Sequence, residues 1–112
     1  MDYSKLSDKE INLRVAKIIY PGKEFTSAYS FGEPDGPMVQ WVQGYAEYLK
    51  LDYCNNPADA WPIMVKSRIN IEFDLEETFA WCYDKNAQVL SERDSKTFRA
   101  AMIVYLMMQE SE

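Results

Sequence analysis

The sequence predicts an α+β domain: a small, mostly antiparallel sheet packed by an N-terminal helix, a short central helix and a buried C-terminal helix. Three observations carry this expectation. Helix-start signals stand at Ser7 and Asn56, strand-like alternation and a hairpin pattern run from Ile69 to Leu90, and an almost uninterrupted apolar stretch follows Thr97.

Ser7 is suited to cap a helix whose third residue is Glu10, and Leu6 and Ile11 occupy the flanking places of a hydrophobic staple. The helix therefore starts at Asp8. Ile11, Val15, Ile18 and Ile19 recur on its inner face, and Tyr20-Pro21-Gly22 ends it, because proline cannot continue the ladder and glycine accepts a left-handed turn. From Pro21 to Pro37 the composition turns to glycine, proline, serine and aromatics, with Gly32 to Pro37 the clearest loop. A strand around Glu24 to Phe31 and another within Met38 to Leu51 form a hairpin across it. Val42, Ala46 and Leu49 also fit helical spacing, so strand and helix both remain open for residues 38–51.

Asn56 is a good cap, Pro57 suits the first helical position, and Asp59 sets a negative charge beside the unpaired amides of the first turn. Pro62 then predicts a kink or a separate first turn, since an interior proline loses a hydrogen bond and clashes with the preceding turn. Lys66 to Arg68 close the helix. Ile69, Ile71 and Phe73 alternate with Asn70, Glu72 and Asp74, the pattern of a strand with one buried face. Phe79 to Tyr83, a turn at Asp84-Lys85-Asn86, and Ala87 to Leu90 make a hairpin. Asp94 or Ser95 caps a last helix, Thr97 to Gln109, which has almost no polar face and must be buried on more than one side.

A length of 112 residues favours a single domain, 1–112, and the apolar content of 47% with 14% aromatics argues for a packed core and against disorder. The net charge of -6 repels a phosphate backbone, so direct nucleic-acid binding is disfavoured. No apolar run approaches the roughly 20 residues that span a bilayer, and Asp2, Lys5 and Asp8 stand where a secretion signal is basic and then apolar. A cytoplasmic protein without membrane attachment is expected, with Cys54 and Cys82 as free thiols in the core.

The chain has no histidine, which removes the commonest general base, the usual zinc nitrogen ligand and any Ser-His-Asp or Cys-His arrangement. Its four glycines are scattered in turns, not grouped as a phosphate-binding loop. The acidic run Glu72, Asp74, Glu76, Glu77 offers oxygen ligands but matches no calcium loop, and it reads as a solvated strand edge. No catalytic residue, cofactor site or metal site is assigned, and the chain is not expected to be an enzyme; a small Asp/Glu- or Cys-dependent enzyme is an alternative. Interaction candidates are Trp41, Tyr45 and Tyr48 beside the long loop, together with Glu72, Asp74, Glu76 and Glu77. Of the three tryptophans, at least two are expected in the core, with Trp41 the candidate for the surface. The greasy last helix, with Met102, Tyr105, Met107 and Met108, also suggests a homodimer.

Tyr53-Cys54-Asn55-Asn56-Pro57-Ala58-Asp59-Ala60-Trp61-Pro62-Ile63, continuing to Arg68-Ile69-Asn70-Ile71, resembles the NinX-like family of bacteriophage and prophage proteins, a domain of unknown function. The opening Met1 to Asn12 and the closing Arg99 to Met108 look like that family's ends; Lys23 to Lys50 does not carry the resemblance. The resemblance implies a phage or prophage accessory protein acting in the bacterial host cytoplasm, and it brings no active site. Acidic charge, surplus aromatics and missing catalytic groups point to a non-catalytic modulator that binds a host or phage protein. The alternative is an acidic nucleic-acid mimic acting as an anti-defence inhibitor.

Overall fold

In the computed structural model, which describes residues 1–27, 36–44 and 47–111, a 3-10 turn at Tyr3–Lys5 leads into α1, Asp8–Ile19. The capping box is present: the Glu10 amide donates to Ser7 Oγ at 3.1 Å and the Ser7 amide to Glu10 Oε1 at 3.4 Å. Tyr20 caps the C-terminal end and Gly22 takes φ +82°, the left-handed turn for which the sequence supplies glycine. The buried stripe is Ile11, Asn12, Val15 and Ala16; Ile18 and Ile19, placed on it by spacing, are exposed because the last turn runs beyond the packed part of the helix.

Of residues 38–51, Val39–Gly44 and Glu47–Leu51 are strands, which resolves the competition between helix and strand there; Ala46 lies outside the described residues. Short β1 (Thr26–Ser27), β2 (Val39–Gly44) and β3 (Glu47–Leu51) make an antiparallel sheet in that order, with Thr26 opposite Gln40 and Val39 opposite Leu51. Val39 and Leu51 are buried, and their alternation with solvated neighbours prevails over the helical spacing. The β1–β2 pairing is the hairpin expected across the loop; residues 28–35 of the anticipated strand and loop lie outside the described residues.

The central helix, α2, runs from Pro57 to Ser67, with the Asn56 side chain accepting from the Ala58 amide at 3.0 Å. It passes through Pro62 as one helix instead of breaking there. Pro62 is on the exposed side, and burial of Ala60, Ile63 and Met64 holds the turns on either side together. Arg68 ends it at φ 56°, an unusual conformation for a side chain with Cβ, while the Ile69 amide reaches back to the Met64 carbonyl at 3.0 Å.

A second antiparallel sheet follows: β4 (Asn70–Phe73), β5 (Thr78–Tyr83) and β6 (Val89–Asp94), with β5 in the middle. The β5–β6 turn is organised by Asp84, whose Oδ1 accepts from the amides of Asn86 and Gln88. Phe73 does not share the burial of Ile69: it is 71% exposed, since β4 ends there and nothing continues over it. The last helix, α3 (Thr97–Ser111), packs on β5 and β6 and against α1 and α2, and its residues 99–106 are all buried. Between residues 99 and 106 its all-round apolar surface is thus covered within the chain, while Met107 and Met108 are half-buried. Among the described residues no helix is long and apolar enough to cross a membrane.

The tryptophans correct the expectation that at least two are core: Trp61 is 56% exposed, and Trp41 and Trp81 are half-buried. Smaller aliphatic and sulfur side chains of α1, α2 and α3 fill the centre instead. Cys54 and Cys82 are buried and unpaired, as anticipated.

Candidate interaction surface

Polar chemistry concentrates first around Arg99. Its Nε donates to Asp94 Oδ2 at 2.9 Å, Nη1 to Asp8 Oδ1 at 2.8 Å, and Nη2 to the carbonyls of Ser4 and Leu6 at 3.0 and 2.7 Å. Lys96 Nζ reaches Asp8 Oδ2 at 2.6 Å, and Asn55 bridges Asp8 and Asp52. One layer inward, Asn12 donates to Asp52 Oδ1 and the Pro37 carbonyl while accepting from the Cys54 amide. The network ties the N-terminal turn, α1, the turn before α2 and the start of α3 to one another. Burial works to raise the Asp8 pKa, but donation from Lys96, Asn55 and Arg99 outweighs it and holds this carboxyl below its usual value.

A shallow depression of about 740 Å³ opens over this network, lined by Asp8, Asp52, Asn55, Lys96 and Arg99. Its charged groups are committed to each other. Beside it, burial foremost, with Asp8 adding to it, pushes the Cys54 thiol up to about 12, so it stays protonated and poorly nucleophilic at neutral pH. Among the described residues no three His, Cys, Asp or Glu side chains are grouped to hold a metal, and no buried side-chain nitrogen or oxygen lacks a partner. The arrangement is suited to fastening the fold.

The outer face of the second sheet is built differently. Thr78, Ala80 and Cys82 point into the core, so strand alternation turns Phe79, Trp81 and Tyr83 to the opposite face in a row. Register sets Glu72 and Arg93 on either side of Phe79, Asn70 and Ser91 beside Trp81, and Val89 beside Tyr83. Trp81 and Tyr83 meet edge to face at 5.5 Å, and the Arg93 guanidinium lies 4.8 Å from the Phe79 ring centre. Trp81 Nε1 donates to Glu72 Oε1 at 3.3 Å, and Arg93 Nη1 to Asp74 Oδ2 at 2.7 Å. Tyr83 is 59% exposed, and Phe73 and Leu75 project at the β4–β5 end.

The acidic candidates gather here. Asp74 organises the β4–β5 turn by accepting from the amides of Glu76 and Glu77, and those bonds hold its carboxyl below the usual value. Residues 70–94 contain seven acidic and two basic side chains, five of the chain's six net negative charges. Trp41 and Tyr48 belong to the other sheet: Trp41 packs with Tyr20 and Phe25 and lies 4.7 Å from Lys23 Nζ, while Tyr48 is exposed. Tyr45 lies outside the described residues. The candidates therefore fall on two sheets. The row Phe79, Trp81, Tyr83 was missing from them, although its signal, a ring at every second position separated by Ala80 and Cys82, is present in the sequence.

Fold and surface together define a small α+β domain with a tightly satisfied polar interior and an open aromatic sheet face. The chain belongs to the phage family described as bacteriophage P22 NinX, whose family model matches residues 2–109. Apart from Met1, that match spans all three stretches that carry the resemblance, and residues 23–50 as well. Membership makes it a phage-family protein and points to an accessory role. Comparison with curated proteins and with solved structures gives no match.

Proposed function

We propose that this phage accessory protein is non-catalytic and works in the host cytoplasm by binding and modulating a host or phage protein through the outer face of the β4–β5–β6 sheet. The observation that carries the reading is the row Phe79, Trp81, Tyr83, presented away from the core and rimmed by Glu72, Glu76 and Glu77. Aromatic rings at the centre of a surface supply most of the energy of typical interfaces, and surrounding charge selects the partner. An acidic rim favours a partner with a basic surface.

The test is recovery of a stoichiometric partner from host or infected-cell lysate, repeated with a Trp81→Ser/Tyr83→Ser double variant. The wild type is expected to retain a partner that the variant loses, with binding weakened at least about thirtyfold, as for a hot spot of about 2 kcal/mol. Recovery of no partner, or equal recovery by both proteins, overturns the reading. The concentration of acids in residues 70–94 also favours a second reading, a nucleic-acid mimic. Under it the partner is a DNA-binding protein that duplex DNA displaces.

A further inference from the structure

The helical side of the molecule carries a second surface of opposite chemistry. Where the C-terminal ends of α1 and α3 meet α2, a groove of about 530 Å³ is floored by Ile19, Pro62, Ile63, Tyr105 and Met108. Ile19, the last residue of α1, is 38% exposed there. Gln109 joins this groove to a neighbouring depression of about 610 Å³ that includes Ile18, Arg14 and Lys17. Apolar residues at the ends of α1 and α3 are thus left open beside α2.

The charge at the rim decides what fits. Arg14, Lys17 and Lys66 line the two depressions, and among the described residues none of their side chains is in a salt bridge. The acid that lines them, Glu110, accepts from the Tyr3 hydroxyl at 2.8 Å and faces the N-terminal amine at 3.8 Å. In a chain of net charge -6 this is a local inversion of sign.

We infer that this groove docks an acidic amphipathic helix of a partner protein. Its apolar stripe rests on Ile19, Ile63 and Met108, and its carboxylates face Arg14, Lys17 and Lys66. α2 has 11 residues, a length of about 16 Å, so the matching helix offers about three turns. A second copy of this chain does not supply it. The acids of its own helices are already engaged: Asp8 by Arg99 and Lys96, Glu10 in the capping box, Asp59 by the Asp52 amide, and Glu110 by Tyr3. The inference concerns a different face from the aromatic sheet and does not depend on that reading.

A yeast-displayed library of randomised helical peptides, sorted on the full-length protein, tests it. Enriched sequences are expected to carry apolar residues at helical spacing with Asp or Glu between them. A selected peptide is then measured by fluorescence anisotropy against Lys17→Glu/Lys66→Glu and Ile19→Ser, all at exposed positions, with circular dichroism confirming that the variants fold. Each is expected to weaken binding at least about tenfold, while Trp81→Ser leaves it unchanged. No enrichment, a basic or neutral consensus, binding indifferent to charge reversal, or self-association of the protein that occupies the groove in light scattering overturns the inference.

Discussion

At Arg99 four of the five guanidinium N–H groups find oxygen acceptors, and the side chain joins segments more than 90 residues apart. At Trp81, on the outer face of the second sheet, rings touch each other and the flanking Glu72 and Arg93 but not the core. The Arg99 region uses charge to hold the chain in shape. The sheet face instead holds rings and charges whose contacts are with one another. In a small domain with a limited core, that contrast locates the surface free to serve another molecule.

If the Arg99 network fastens the fold, removing its centre produces the largest effect. Arg99→Met leaves Asp8 and Asp94 without their guanidinium partner, and about 3–5 kcal/mol of stability is expected to be lost in urea denaturation. Arg99→Lys is expected to recover only part, because an ammonium cannot reproduce the planar fork that meets two carboxylates and two carbonyls. Asn12→Ala comes next, at about 2 kcal/mol, since it orphans the Cys54 amide inside the molecule. Loss of much less in either variant would place the fold's fastening elsewhere.

The two regions were unequally visible in the sequence. The caps at Ser7 and Asn56, the β5–β6 hairpin and the buried last helix rest on neighbours within a few residues, and such local signals need no partner to be read. The Arg99 network was invisible because Arg99 and Asp8 lie 91 residues apart and no local pattern links them. The sequence of residues 38–51 fits both periods, and pairing of Val39–Gly44 with β1 and with Glu47–Leu51 decides for strand in those segments. Alternation along Phe79 to Tyr83 was readable, but which face is outward depends on α3, which covers Ala80 and Cys82. Trp61 misleads for a related reason: a large ring suggests a core, yet its place on α2 faces away from α1 and α3.

An acid titration separates the regions further. The Asp8 pKa is lowered in the folded protein, so its contribution is present above the unfolded value of about 4 and is lost as pH falls through the lower folded value. Asp8→Asn is therefore expected to melt below the wild type at pH 7, with the gap closing in acid. A gap independent of pH would mean that the carboxylate's charge contributes nothing. The sheet face has no such dependence on Asp8, so Trp81→Ser should track the wild type across the same range.

The smallest effect on folding is expected at the sheet face itself. Tyr83→Ser removes an exposed ring whose ring partner is Trp81, an edge-to-face pair worth about 0.5–1.5 kcal/mol. Trp81→Ser removes the same contact and the bond to Glu72, so the double variant should cost little more than one single change, because both remove one shared interaction. Denaturation of the two single variants and the double variant measures that coupling directly. A small, non-additive loss leaves the row with no large role in stability, consistent with a face kept for contact. A loss as large as that of Arg99→Met would make the rings part of the fold, and the contrast between the regions would disappear.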